Sequence, residues 1–143
     1  MKTSISFKST IVNIICLLYA LLFIYAATSK LFDFENFTIQ LGQSPLLSAF
    51  AGWISITLPV VEIIIAVSLL FSRIRIVGLY ASYLIMIMFT AYIYIILNYS
   101  AFVPCSCGGI LEKMTWDQHL IFNICFIILA IIAIAYTSIK GKY

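Results

Sequence analysis

Apolar side chains dominate four stretches of this chain, residues 11–28, 46–71, 76–97 and 120–139. Crossing the roughly 30 Å hydrocarbon core of a bilayer takes about 20 helical residues, which each stretch supplies within the usual range. The runs are continuous, so they predict helices and not the alternating segments of about 10 residues that build a membrane barrel. The expected fold is an all-α membrane protein, a single four-transmembrane-helix bundle over residues 1–143. Between the spans lie a connector around Ser29 to Pro45, a tight turn Ser72-Arg73-Ile74-Arg75, and a connector from Asn98 to Thr115.

Composition sharpens this picture. Charged residues make up 9% of the 143 and hydrophobic ones 64%, whereas a soluble domain carries roughly 25% charged residues. With a mean hydropathy of +1.17, a water-facing surface could not be covered without large apolar patches. Four spans leave no appreciable soluble domain, so any chemistry sits on or between helices. Lys2, Lys8, Arg73, Arg75, Lys140 and Lys142 fall on one side of the spans, and Lys30 and Lys113 on the other. By the positive-inside rule both termini and the Arg73/Arg75 turn face the cytoplasm. The alternative for the first span is a signal peptide cleaved near Ala26-Ala27-Thr28-Ser29, although its apolar run exceeds the usual 7–15 residues of a signal core. Basic residues are scattered and form no nucleic-acid-binding signature.

The third connector, Pro104-Cys105-Ser106-Cys107-Gly108-Gly109-Ile110-Leu111-Glu112-Lys113-Met114-Thr115-Trp116-Asp117-Gln118-His119, holds two of the four cysteines and the only histidine. On the non-cytoplasmic side, thiols can form and keep a disulfide. A ring this small gives only about 1.6 kcal/mol of loop-closure stabilisation before strain, so it is a poor staple. Strain raises its reduction potential, which suits exchange. Gly108 and Gly109 leave the sulfurs open to an incoming thiol. The competing readings are a soft-metal site using Cys105, Cys107 and His119 with Glu112 or Asp117, and a structural bridge or idle thiols in a non-catalytic scaffold. Thr115 followed three residues later by Gln118 is a capping box, so the last helix starts here with Asp117 at its positive end. That end favours a nearby thiolate. Trp116, His119 and Asn123 share a helix face. There His119 can take or give a proton during exchange, while Asn123 can make an interhelical hydrogen bond.

Within the spans, Glu62 must face the bundle interior, because an acidic residue near a helix centre costs about 2.5–3.5 kcal/mol on insertion scales. Lys30, at the outer end of the first span, is its available partner; a proton or quinone role is the alternative. Cys16 and Cys125 read as packing thiols at different depths, Cys125 being the better placed to relay to the loop. Tyr80, Tyr83, Tyr92, Tyr94, Tyr99 and Trp53 read as core and belt, or as a pocket for a flat quinone ring. Gly78-x-x-x-Ser82 and Ala130-x-x-Ala133 let backbones approach closely.

Ala27-Thr28-Ser29-Lys30-Leu31-Phe32-Asp33-Phe34, Pro59-Val60-Val61-Glu62, and Cys105-Ser106-Cys107-Gly108-Gly109 with Trp116, His119 and Asn123 together resemble the DoxX-like and MauE (methylamine utilisation) membrane proteins over nearly the whole chain. The resemblance implies a four-helix protein of the bacterial inner membrane that works with a periplasmic thioredoxin-like partner in disulfide formation or maturation of secreted proteins. DoxX-like relatives also imply electron transfer to quinone. The chain departs from the commoner MauE pattern at Gly108 or Gly109, where a bulky residue is usual, and at His119, where Arg is. The expected activity is a thiol–disulfide oxidoreductase or redox-associated subunit in which Cys105 and Cys107 exchange electrons and His119 moves the proton. Trp116, Asn123, Glu62 and Lys30 are the candidate cofactor-binding residues, and quinone is the candidate cofactor.

Overall fold

A computed structural model describes the backbone of residues 2–100 and 114–140, and side chains over 6–100 and 114–139. Every regular element among the described residues is helical: α1 (Lys2–Phe32), α2 (Phe34–Gln43), a 3-10 turn (Ser48–Phe50), α3 (Ala51–Leu70), α4 (Arg75–Tyr99) and α5 (Trp116–Lys140). Four of these helical segments, Ser6–Phe32, Ser48–Leu70, Arg75–Tyr99 and Trp116–Ile139, are long and apolar enough to cross a membrane. The expected all-α, four-span architecture is therefore what the chain adopts. Cys105, Cys107 and Glu112 lie outside the described residues.

Helix α1 packs against α3 and α5, and α4 against the same two helices, so the spans form a four-cornered bundle. Hydrophobicity alone does not distinguish its inside from its outside. Ile14, Leu17, Leu21 and Ile24 point outward while Ile15, Tyr19, Phe23 and Leu69 are buried, as expected where lipid is as apolar as the core. What marks the interior is small and polar: Ser55, Ser68, Ser82, Glu62 and Asn123 are all buried. The expected close approach occurs at Gly78, where an added methyl would collide with Ser68 Oγ and meet Leu69 Cδ2 at 3.1 Å. Ser82, one turn on, spends its hydroxyl on the Gly78 carbonyl at 2.7 Å. Ala130 and Ala133 are fully buried on α5.

One end of the bundle is fastened by basic residues. Arg75 donates from Nε to the Leu69 carbonyl at the end of α3 (3.2 Å) and from an η nitrogen to Asn13 Oδ1 on α1 (2.7 Å). Lys8 lies 5.6 Å from the centre of the Tyr136 ring on α5. The opposite end holds Lys30, α2, and the start of α5.

The connector around Ser29 to Pro45 proves to be mostly helix. Helix α1 runs on to Phe32, the chain bends at Asp33 (φ −120°, ψ 49°), and α2 follows directly. Phe37 and Leu41 of α2, spaced by four, bury against Ala51 with Leu47, Ile54 and Leu58 around them. This small second core ties α2 to the first half of α3. The chain leaves α2 at Ser44, which is 1% exposed and accepts the Tyr92 hydroxyl on its Oγ at 2.7 Å.

Candidate functional site

At the α2-covered end of the bundle, Lys30 and Glu62 form a bidentate ion pair, Nζ to Oε1 2.9 Å and to Oε2 3.1 Å. Glu62 is 1% exposed and Lys30 13%. The third Nζ proton goes to the Ala26 carbonyl at 3.3 Å, and the ammonium stands 5.9 Å from the centre of the Phe37 ring on α2. Sequence dictates this geometry. Lys30 sits in the last turn of α1, and its flexible stem folds back along its own helix to reach a carboxylate buried in α3. Glu62 follows Pro59 by three residues, and both belong to the inward stripe of α3 that includes Ser55 and Ile65. Helix α2 then roofs the pair with Phe37, a role the sequence did not reveal.

Helix α5 enters this end through the expected capping box: Thr115 N–H donates to Gln118 Oε1 at 3.1 Å, and Gln118 N–H to Thr115 Oγ1 at 3.3 Å. Asp117 lies in the first turn, at the positive end of the helix. Trp116 and His119 stack with ring centroids 6.3 Å apart. His119 is half-buried in the first turn of α5, at this same end. Lys30, Glu62, Trp116 and His119, proposed from scattered positions, thus gather at one end of the bundle.

Asn123, one turn deeper, is 2% exposed, and its Nδ2 has no hydrogen-bond partner among the described residues. The interhelical hydrogen bond expected from that amide is not made. The contact between α1 and α5 is carried instead by Tyr19, whose hydroxyl donates to the Phe126 carbonyl. Its ring meets Phe126 edge-on at 5.1 Å. Sequence reasoning missed Tyr19 because one tyrosine in an apolar run has no signal beyond its hydroxyl.

Tyr80, Tyr94, Tyr99 and Trp53 are 51%, 52%, 79% and 79% exposed, so these four face outward, as belt residues do, and line no common pocket for a ring. Cys16 is buried, whereas Cys125 is exposed on the outer surface of α5, not packed inside as a buried thiol would be. No group of three His, Cys, Asp or Glu side chains able to hold a metal occurs among the described residues.

No curated protein and no solved structure matches this chain. The family model of the methylamine utilisation protein MauE matches residues 8–136, a stretch that covers most of all four spans, the Lys30–Glu62 pair, the Cys105/Cys107 segment and the capped start of α5. The chain belongs to the MauE family of membrane proteins.

Proposed function

We propose that the protein is an inner-membrane thiol–disulfide redox protein whose Cys105 and Cys107 exchange electrons with a periplasmic thioredoxin-like partner. The observation that carries this reading is where the cysteine segment is tethered. It leaves α4 and enters the capped start of α5 at the bundle end that gathers His119, Trp116 and the Lys30–Glu62 pair. In the exchange a partner thiolate attacks one sulfur of the Cys105–Cys107 disulfide, the other sulfur leaves as a thiolate, and the mixed disulfide resolves when the partner's second thiol attacks. The partner ends as a disulfide and the loop as a dithiol. The two protons lost by the partner's thiols are taken up by the loop sulfurs, and His119 is the group assigned here to pass them. The positive end of the α5 dipole favours the leaving thiolate. The family's description ties such proteins to methylamine utilisation, so a partner that matures secreted proteins of that process is the natural one.

Trapping tests this. Cys105→Ser and Cys107→Ser, each expressed in cells and quenched with acid, should yield a mixed disulfide from the variant that keeps the attacked sulfur. If neither variant gives an adduct with a periplasmic protein, and both thiols of the parent stay reduced in respiring cells, the redox reading is wrong.

A further inference from the structure

The end of the bundle away from Lys30 carries cations with no anion to answer them. The chain's acidic residues are Asp33, Glu35, Glu62, Glu112 and Asp117, so none lies in residues 1–32 or 63–111. Lys30–Glu62 is the one ion pair among the described residues. Arg75 is nonetheless half-buried at the start of α4. A guanidinium drawn into a fold is normally matched by a carboxylate or phosphate, yet its two contacts here are neutral, the Leu69 carbonyl at 3.2 Å and Asn13 Oδ1 at 2.7 Å. These contacts fix the planar fork where α1, α3 and α4 meet, and they leave three of its five N–H groups for another acceptor. Asn13 is exposed, and with its oxygen on Arg75 the Nδ2 of the same carboxamide offers further donors. Arg73, two residues earlier and exposed, adds a second guanidinium. Donors gather here without a carboxylate, which selects an anion. The flanking Phe71, Ile74 and Val77 are exposed and apolar, and Val77 already belongs to a span. A cationic corner set directly above an apolar helix face fits a ligand with an anionic head and apolar chains.

We propose that the Arg75 corner binds the headgroup of an anionic phospholipid. The remaining N–H groups of Arg75 and the amide of Asn13 donate to the phosphate oxygens, Arg73 adds its charge, and the acyl chains run along Ile74 and Val77. A zwitterionic lipid would bring its own ammonium among these cations, so the ligand is a lipid of net negative charge such as phosphatidylglycerol. The site lies at the opposite end from the Cys105/Cys107 segment and is independent of the thiol-exchange reading.

Melting of the full chain in neutral detergent micelles tests the site, because a ligand that binds only the folded state raises the melting temperature saturably. Dihexanoyl phosphatidylglycerol should stabilise the parent at about tenfold lower concentration than phosphatidylcholine with the same chains. Glycerol 3-phosphate over the same range, which supplies the phosphate without the chains, should have no effect. Arg73→Gln should shift the phosphatidylglycerol curve to about fivefold higher concentration, the effect of one cation near a charged headgroup. Arg75→Gln also loses the bonds to Leu69 and Asn13, so for that variant the lipid response is read and not the melting temperature itself; the preference for phosphatidylglycerol should vanish. Equal response of the parent to the two lipids overturns the proposal, as does a phosphatidylglycerol effect that rises linearly without saturating. So does equal stabilisation by glycerol 3-phosphate, which would make this a site for free phosphate, or an unmoved phosphatidylglycerol curve in Arg73→Gln.

Discussion

Lys30 and Glu62 show how a charge becomes tolerable within a span. Separately, each would be costly in hydrocarbon; together they satisfy both carboxylate oxygens and all three ammonium protons, counting the Ala26 carbonyl. Breaking such a pair from one side strands a buried charge and costs about 3–5 kcal/mol, whereas replacing both partners with apolar residues is often neutral. Lys30→Met and Glu62→Met should therefore each lower the melting temperature in detergent micelles sharply, and the double variant should recover most of the loss. Equal, additive losses would mean that the two side chains act independently. At Tyr19 the effect is smaller. Tyr19→Phe keeps the ring against Phe126 and removes one interhelical hydrogen bond, of a kind that averages about 0.6 kcal/mol in membranes. A loss above about 2 kcal/mol in the same melt would show that the hydroxyl does more than bridge α1 to α5. The ion pair was legible in the sequence because ionisable residues within apolar runs have few possible partners. Asn123 was legible as a polar position but not as an unpaired one, since whether an amide finds its partner depends on side chains that meet only after folding.

The elements were legible where their signals are local. Thr115 and Gln118 announce the start of α5 because a capping box needs only residues three apart, and both of its hydrogen bonds form. Thr115→Ala should cost about 0.5–2 kcal/mol. Because the cap fixes the end of the cysteine segment, amide exchange at Gln118 should rise in the same variant; unchanged exchange there would argue that the cap is idle. The small-residue spacing in α4 likewise predicted a close approach, which the structure places against Ser68 and Leu69. Gly78→Ala should destabilise by about 1–3 kcal/mol through overpacking, despite alanine's better helix propensity. Adding Ser68→Ala, which removes the colliding oxygen, should restore part of the loss, and a Gly78→Ala protein as stable as the parent would contradict this packing. Helix α2 escaped notice because it is short and lies between longer apolar runs. Its apolar positions, Phe34, Phe37 and Leu41, do carry helical spacing, but a stripe this brief is easily mistaken for a connector.

For the molecule as a whole, four cysteines are spread along a chain whose Lys30–Glu62 pair and His119 lie at one end of the bundle, and that distribution determines which of them matter. Cys16 packs in the main core with Tyr19, Ala20 and Phe23, towards the end fastened by Arg75 and away from Lys30 and His119. Cys125 faces outward from α5, and ten residues from Thr115 put it about 15 Å along the helix axis. Cys125 does not share the α5 face formed by His119, Asn123 and Phe126, and Cys16 lies towards the other end of the bundle. Cys16→Ala and Cys125→Ala should therefore each leave thiol turnover within about threefold of the parent, under ~1 kcal/mol of barrier, while Cys105→Ser or Cys107→Ser abolishes it. Turnover is measured as oxidation of a dithiol partner in nanodiscs. A loss of about a hundredfold in a folded Cys125→Ala protein, some 2.7 kcal/mol, would mean that electrons leave the segment through the thiol on the outer surface of α5.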